Sequence, residues 1–214
     1  MSVRQTDCRK VKFAVRAVML AALVFVVFGA AGTPSRADEA SSKTVCVLTI
    51  HEDITRNTVY LIRRGLRDAE EKRAAALVLD MQTNGGRVDA TEEIIRLLEN
   101  APMKTYTFVN DKAYSAGAYI AAATDKIFMS PGSVIGAATP VILGESGVQE
   151  LPKSYEEKLS SAMRARIRAT AQEKGYNPDV FEAMVDAGLA ASRGGRLYSP
   201  RGEAARDLFS RLYL

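Results

Sequence analysis

Apolar runs begin near residues 45, 75 and 105, about 30 residues apart, which is the length of one strand-helix-strand unit. Residues 45–50 (VCVLTI) and 75–80 (AALVLD) are near-continuous apolar runs, the pattern of strands in a sheet covered on both faces. Two shorter runs follow at 105–109 (TYTFV) and 126–129 (KIFM). Between the first two lies 58–72, with Val59, Ile62, Leu66 and Ala69 at helical spacing; between the second and third lies 91–100, with Ile94, Ile95, Leu97 and Leu98. This alternation predicts an α/β core with a mostly parallel sheet covered by helices, because parallel neighbours need a crossover long enough to hold a helix. Beyond residue 129 the texture changes. Residues 130–147 are rich in glycine, with Pro131 and Pro140, and read as loop. Helices are predicted over 155–174 and 178–187, a turn at 193–196, and a last helix opened by Ser199-Pro200.

The first forty residues have another character. A basic start (Arg4, Arg9, Lys10, Lys12, Arg16) precedes sixteen apolar residues at 17–32 (AVMLAALVFVVFGAAG), and Ser35 and Ala37 stand at the small-x-small positions before Asp38. These are the parts of a secretory signal peptide, so residues 1–37 are expected to be an export signal and 38–214 the exported domain. The rival is an uncleaved N-terminal anchor, although sixteen residues fall short of the ~20 that span a bilayer. In both cases the basic end stays in the cytoplasm and the rest is exported, to a periplasmic or extracellular location, released or held at the membrane by this one segment. No second apolar stretch reaches membrane length, and Cys8 precedes the apolar run, so no lipid-attachment cysteine follows it.

Charge excludes one class of function. The chain carries a net +4, but residues 1–37 hold six basic residues against Asp7, a net of +5, which leaves −1 for the rest. The body therefore has no basic excess for binding nucleic acid. With one histidine (His51) and two cysteines (Cys8, Cys46), no cysteine/histidine metal cluster can be built. His51 ends the first strand and reads as a strand-end residue, and Cys46 reads as a small core residue. Without residues 1–37 a single cysteine remains, and an internal disulfide is ruled out.

Three segments can carry chemistry, each with an ordinary alternative. The first is 80–86 (DMQTNGG), a strand end followed by a glycine pair. Glycines there let the backbone approach a ligand and present N–H groups, though Asn-Gly is also a common turn. The second is 114–123 (YSAGAYIAAA). Ser115 opens a helix of very small residues, either as a nucleophile at a positive helix end or merely as its cap. Tyr114 and Tyr119 flank it as pocket walls or as core. The third is 154–158 (SYEEK), which fits a capping box with Ser154 and Glu157 and starts the helix at Tyr155. Lys158 then falls near the positive end of the helix, on a face shared with Ala162, Ala165 and Ala169. Close packing there would desolvate the amine and keep it neutral, as a general base requires; the alternative is a solvated surface lysine. Asp125 reads as a turn residue, and neither Asp80 nor Asp89 is aimed at a site.

In this order, LVLDMQTNGGRVDATEEII, AYSAGAYIAAATDKIFMSPGSVIGAATPV and the EEK helix start that leads to IRATAQEKG resemble the NfeD-type membrane-associated serine proteases. That family is related to signal peptide peptidase A and belongs to the ClpP/crotonase superfamily. The resemblance covers about residues 44–190. It implies a fold built as a stack of ββα units and a Ser-Lys dyad, with Ser115 as nucleophile and Lys158 as base, Lys153 being the runner-up. It also implies an oxyanion hole from the N–H groups of Gly86 and Ala116, with Gly85, Tyr114 and Tyr119 beside the substrate. The implied activity is cleavage of apolar peptide segments, including those of stomatin-like membrane partners, by a dimer or larger homo-oligomer. No cofactor and no metal is required. Members often continue into membrane spans and an OB-fold domain, and neither is seen up to Leu214. Leu197-Tyr198-Ser199-Pro200 and Glu203-Ala204 match the family's last segment, but Asp207-Leu208-Phe209 replaces its closing glycine, so an altered C-terminal edge is expected.

Two other functions fit the same residues. One is a non-catalytic module that holds a peptide or partner without cutting it. The other is acyl-thioester chemistry of the crotonase kind, which needs an acyl-CoA ligand outside the cytoplasm and carboxylates aimed at the site.

Overall fold

The computed structural model describes residues 7–11, 43–141, 143–144, 147–148, 152–186, 191–193 and 196–198. The signal segment, apart from residues 7–11, and the helix expected from Ser199 onward lie outside the described residues. Strand β1 (Asp7–Val11) is followed by β2 (Lys43–Ile50), α1 (Arg56–Glu71), β3 (Ala76–Thr83), α2 (Val88–Glu99), β4 (Lys104–Tyr114), α3 (Ala116–Ala122), β5 (Lys126–Met129) and β6 (Val134–Gly136). Short β7 (Leu143–Gly144) and β8 (Gly147–Val148) pair with each other. Helices α4 (Lys153–Glu173) and α5 (Pro178–Val185) come next, then an antiparallel pair, β9 (Ala191–Arg193) and β10 (Arg196–Tyr198).

The main sheet runs in the order β1-β2-β3-β4-β5, and β6 pairs with the far end of β4. Strands β2 to β6 pair in parallel, while β1 is antiparallel to β2. The alternation read from the sequence is therefore realised as the α/β class with a mostly parallel sheet.

Among the described residues helices cover one face only, which differs from the expectation of a sheet covered on both. From β2 to β5 the strand order follows the chain order. Right-handed crossovers in a sheet that never reverses direction all fall on the same side. On that side Cys46, Leu48, Ile50, Leu77, Leu79, Met81 and Val109 are 0–2% exposed. They pack with Val59, Ile62 and Ala69 of α1 and with Ile94, Ile95 and Leu98 of α2. The alternate residues Val45, Val47, Thr49, Val78, Gln82, Tyr106 and Phe108 are only half-buried, and Phe128 is exposed. Tyr106 and Phe128 meet edge to face on this open side, 6.0 Å between centroids.

The N-terminal strand bears on the export reading. In the intact chain Cys8 stands directly opposite Cys46 in the β1-β2 register, and the two form a disulfide. Cys46 is a core residue as expected, but it is bonded rather than a thiol.

Helix α4 begins two residues before the expected start. The Pro152 carbonyl accepts the N–H groups of Tyr155 and Glu156 at 2.8 and 3.2 Å, which closes the first turn ahead of Ser154. Ser154 thus lies inside the helix, the capping box with Glu157 does not form, and no side chain caps this end. By contrast, the Asn177 side chain accepts from Asp179 N–H at the start of α5. Among the described residues no helix is long and apolar enough to cross a membrane.

Candidate active site

The site lies at the C-terminal ends of β3 and β4, where parallel α/β sheets bind ligands. After a register shift between Met81 and Thr83, the chain leaves β3 through Asn84 into Gly85 and Gly86, at φ +115° and +156°. Both glycines are required. A Cβ on Gly85 would stand 2.6 Å from Ser115 Cβ, and one on Gly86 would stand 2.1 Å from the Ile54 carbonyl oxygen. Ile54, fully buried, braces the pair from the loop after β2. Its N–H donates to Gly85 O at 2.7 Å, and its carbonyl accepts from Arg87 N–H at 2.8 Å.

Ser115 joins β4 to α3 with φ +50° and ψ −116°, a strained conformation for a residue with a side chain. Its N–H donates to Gly136 O at 2.8 Å, and its carbonyl accepts from Ala118 N–H at 3.0 Å. The half-buried hydroxyl makes no capping bond and has no hydrogen-bond partner among the described residues. The cap reading of Ser115 is therefore not realised, and the turn presents the hydroxyl toward the glycine pair.

The N–H groups of Gly86 and Ala116 have no acceptor among the described residues. Each shares a planar peptide with a carbonyl that is already held, Gly85 O by Ile54 and Ser115 O by Ala118. A trans peptide then aims the N–H in the opposite direction. Two unpaired donors beside one unpaired hydroxyl can stabilise an oxyanion formed by attack of that hydroxyl on a carbonyl.

The other candidates are placed differently. Tyr119 is 2% exposed and donates to Ala138 O at 3.1 Å. Burial pushes its phenol well above the usual range. It is a strut holding the segment after β6, not a pocket wall. Tyr114 is half-buried just before Ser115. Lys153 and Lys158 are both exposed, as are Ala162, Ala165 and Ala169. The face expected to desolvate Lys158 thus looks into solvent, because α4 turns Met163, Ile167, Thr170 and Ala171 inward instead.

Asp80, Asp89 and Asp125 each lie against a partner. Asp80 Oδ2 lies 3.1 Å from His51 Nε2. Asp89 is bound by Arg87 and Arg56; the Arg87 hydrogen bond does most to lower its carboxyl to about 2. For Asp125, burial raises the pKa, but the Thr105 N–H at 2.8 Å and Lys104 outweigh it and lower it. Asp125 is the strand-joining turn residue expected of it.

Sequence reasoning missed two parts of this geometry. One is the Ile54 brace, for which nothing local signals. The other is Thr83, whose hydroxyl accepts from Gly85 N–H at 3.1 Å. A threonine two residues before a glycine is a recognised local turn pattern and could have flagged it.

Fold and site together define an α/β domain in which a strained serine turn faces a glycine pair, with the Gly86 and Ala116 N–H groups unpaired among the described residues. Residues 44–198 match the family described as NfeD1b, N-terminal domain, and the chain belongs to that family. It is 28% identical over 165 residues to the membrane protein NfeD1b of Bacillus subtilis, covering 77% of this chain and 36% of that one. It is 33% identical over 171 residues to the membrane-bound protease PH1510 of Pyrococcus horikoshii, covering 77% and 38%. The chain thus spans little more than a third of the length of these relatives. Among solved structures it resembles the 1510-N membrane-bound stomatin-specific protease in two forms. A lysine-to-alanine variant in complex with a substrate peptide matches with TM-score 0.61 and 30% identity, over 67% of this chain and 66% of that one. A serine-to-alanine variant matches with TM-score 0.61 and 27% identity, over 77% and 82%.

Proposed function

We propose that this domain is an exported serine endopeptidase acting on apolar peptide segments. The observation that carries this reading is the packing of Gly85 against Ser115, with the Gly86 and Ala116 N–H groups unpaired beside it. Ser115 attacks the peptide carbonyl, and the two N–H groups hold the oxyanion. A lysine from the start of α4, Lys158 before Lys153, takes the hydroxyl proton and returns it to the leaving amine. The alanine variants of one lysine and one serine prepared for 1510-N support the pair. Val88, two residues past Gly86, Val134 on β6 and Tyr155 on α4 are exposed apolar side chains that suit an apolar substrate. The stomatin-specific relative supports a segment of a stomatin-like membrane protein as the natural target.

The chain by itself leaves Lys158 in water, so the desolvation a neutral amine needs comes only when peptide or a second copy covers that face of α4. That exposure also favours the second reading, a peptide-holding module without turnover. Labelling with a serine-directed fluorophosphonate separates the two. The peptidase reading expects Ser115 to be labelled, with labelling lost in Lys158→Ala and kept in Lys153→Ala. The reverse pattern makes Lys153 the base. Saturable binding of apolar peptide with no labelling leaves only the module.

Export carries its own expectation. Cleavage before Asp38 removes β1 and Cys8 together and leaves Cys46 as a buried thiol. The intact mass of the exported chain is expected to begin at Asp38 with one thiol titratable after unfolding; a mass retaining Cys8 makes the segment an anchor. The open sheet face supports self-association as a homo-oligomer, and sedimentation of the same preparation as a monomer counts against it.

A further inference from the structure

One buried polar side chain at the site has no part in the chemistry above. Thr83 is the last residue of β3 and is 2% exposed. Its hydroxyl accepts from Gly85 N–H at 3.1 Å and donates to Glu52 O at 2.8 Å, with Gly85 O a second acceptor at 3.4 Å. Its methyl lies against α3: a Cβ on Gly117 would stand 2.7 Å from Thr83 Cγ2. Across the sheet Thr83 pairs in register with Ala113, two residues before Ser115. One side chain therefore touches the loop after β2, the glycine pair and the helix that follows the nucleophile.

We propose that Thr83 is the positioning residue that fixes the Gly86 N–H against Ser115; this rests on the serine-peptidase reading. The Gly85-Gly86 peptide supplies the donor. Its carbonyl is held by Ile54 N–H at 2.7 Å, and the N–H on the other side of Gly85 is held by the Thr83 hydroxyl. Glycine rotates about φ and ψ more freely than any other residue, so a donor between two glycines stays aimed only while both flanks are tied. Loss of the hydroxyl unties one flank, and the peptide can then turn its N–H away from the oxyanion. The Glu52 contact adds to this by holding the loop that carries Ile54. Thr83 touches no substrate and acts through Gly86.

The test is turnover of a quenched fluorescent peptide of apolar residues by the full chain and its Thr83→Val, Thr83→Ser and Thr83→Ala variants. Valine keeps the shape and removes the hydroxyl. It is expected to lower kcat by about 10- to 100-fold, somewhat less than outright loss of an oxyanion donor. KM is expected to stay within about twofold, as for an interaction made only in the transition state. Serine keeps the hydroxyl and is expected to restore most of kcat. Wild-type kcat in Thr83→Val overturns the proposal. So does a Thr83→Ser variant as slow as Thr83→Val, since methyl packing would then carry the effect. If the valine variant does not fold, serine and alanine decide: serine fast and alanine slow supports the assignment, and equal rates overturn it. A wild-type chain that neither cleaves the peptide nor takes the fluorophosphonate overturns both readings, whereas an active wild type with an unaffected Thr83→Val overturns this one alone.

Discussion

Ser115→Ala is expected to lower peptide turnover by roughly 10⁴- to 10⁶-fold, as removal of an attacking hydroxyl does elsewhere. It should do so with little change in stability. The Ser115 hydroxyl caps nothing and has no hydrogen-bond partner among the described residues, so its loss leaves no buried group unsatisfied. Alanine at φ +50° meets the same backbone strain that serine does. The measurement is kcat beside a thermal melt. A variant that keeps turnover within tenfold of wild type removes Ser115 from the chemistry. A variant that loses turnover only because it melts earlier makes the residue structural. Binding of apolar peptide should survive the change, because the backbone that lines the site is untouched.

Gly86→Ala is expected to be the most destabilising single substitution at the site. The added Cβ would lie 2.1 Å from Ile54 O, 2.7 Å from Ile54 N and 2.8 Å from Ile54 C. These are backbone atoms on both sides of the Ile54 brace and cannot swing aside as a flexible side chain does. Backbone strain of about 1–3 kcal/mol and overpacking of about 1–3 kcal/mol together give about 2–6 kcal/mol, read as a fall in the urea midpoint. Any folded fraction is expected to lose a further ~10²–10³ in rate, because the shift that relieves the clash moves the oxyanion donor. Gly132→Ala is the control. Its φ is +81° and nothing lies within 4 Å of the added Cβ, so it meets strain without a clash. Equal destabilisation of the two variants would show that the contact with Ile54 carries no weight.

Much of the scaffold was legible in the residues. Period and length separated strands from helices along 45–129, because a parallel strand pair demands a helix-length crossover. Gly85-Gly86 stands out because glycines after a strand allow close backbone approach and free N–H groups, and Ser115 because it opens a helix of very small residues at its positive end. The start of α4 was misread because Ser154 and Glu157 have capping-box spacing, while the carbonyl of Pro152 closes the first turn before either can act. The lysine face was misread for a related reason. Periodicity shows which residues share a face, and nothing in the string says which face turns inward. Ala162, Ala165 and Ala169 fit close packing and solvent equally well, and α4 resolved the choice with Met163 and Ile167.

The sequence by itself determined the alternating strands and helices along 45–129, the parallel class and the two turns that bear the chemistry, because these follow from the local physics of period, crossover length and backbone conformation. Only the tertiary structure decided that the described helices fall on one face, that Thr83 and Ile54 clamp the glycine pair, that Tyr119 is a strut, and that both candidate lysines stand in solvent. Those outcomes depend on contacts between residues far apart in the chain, set by how whole elements pack.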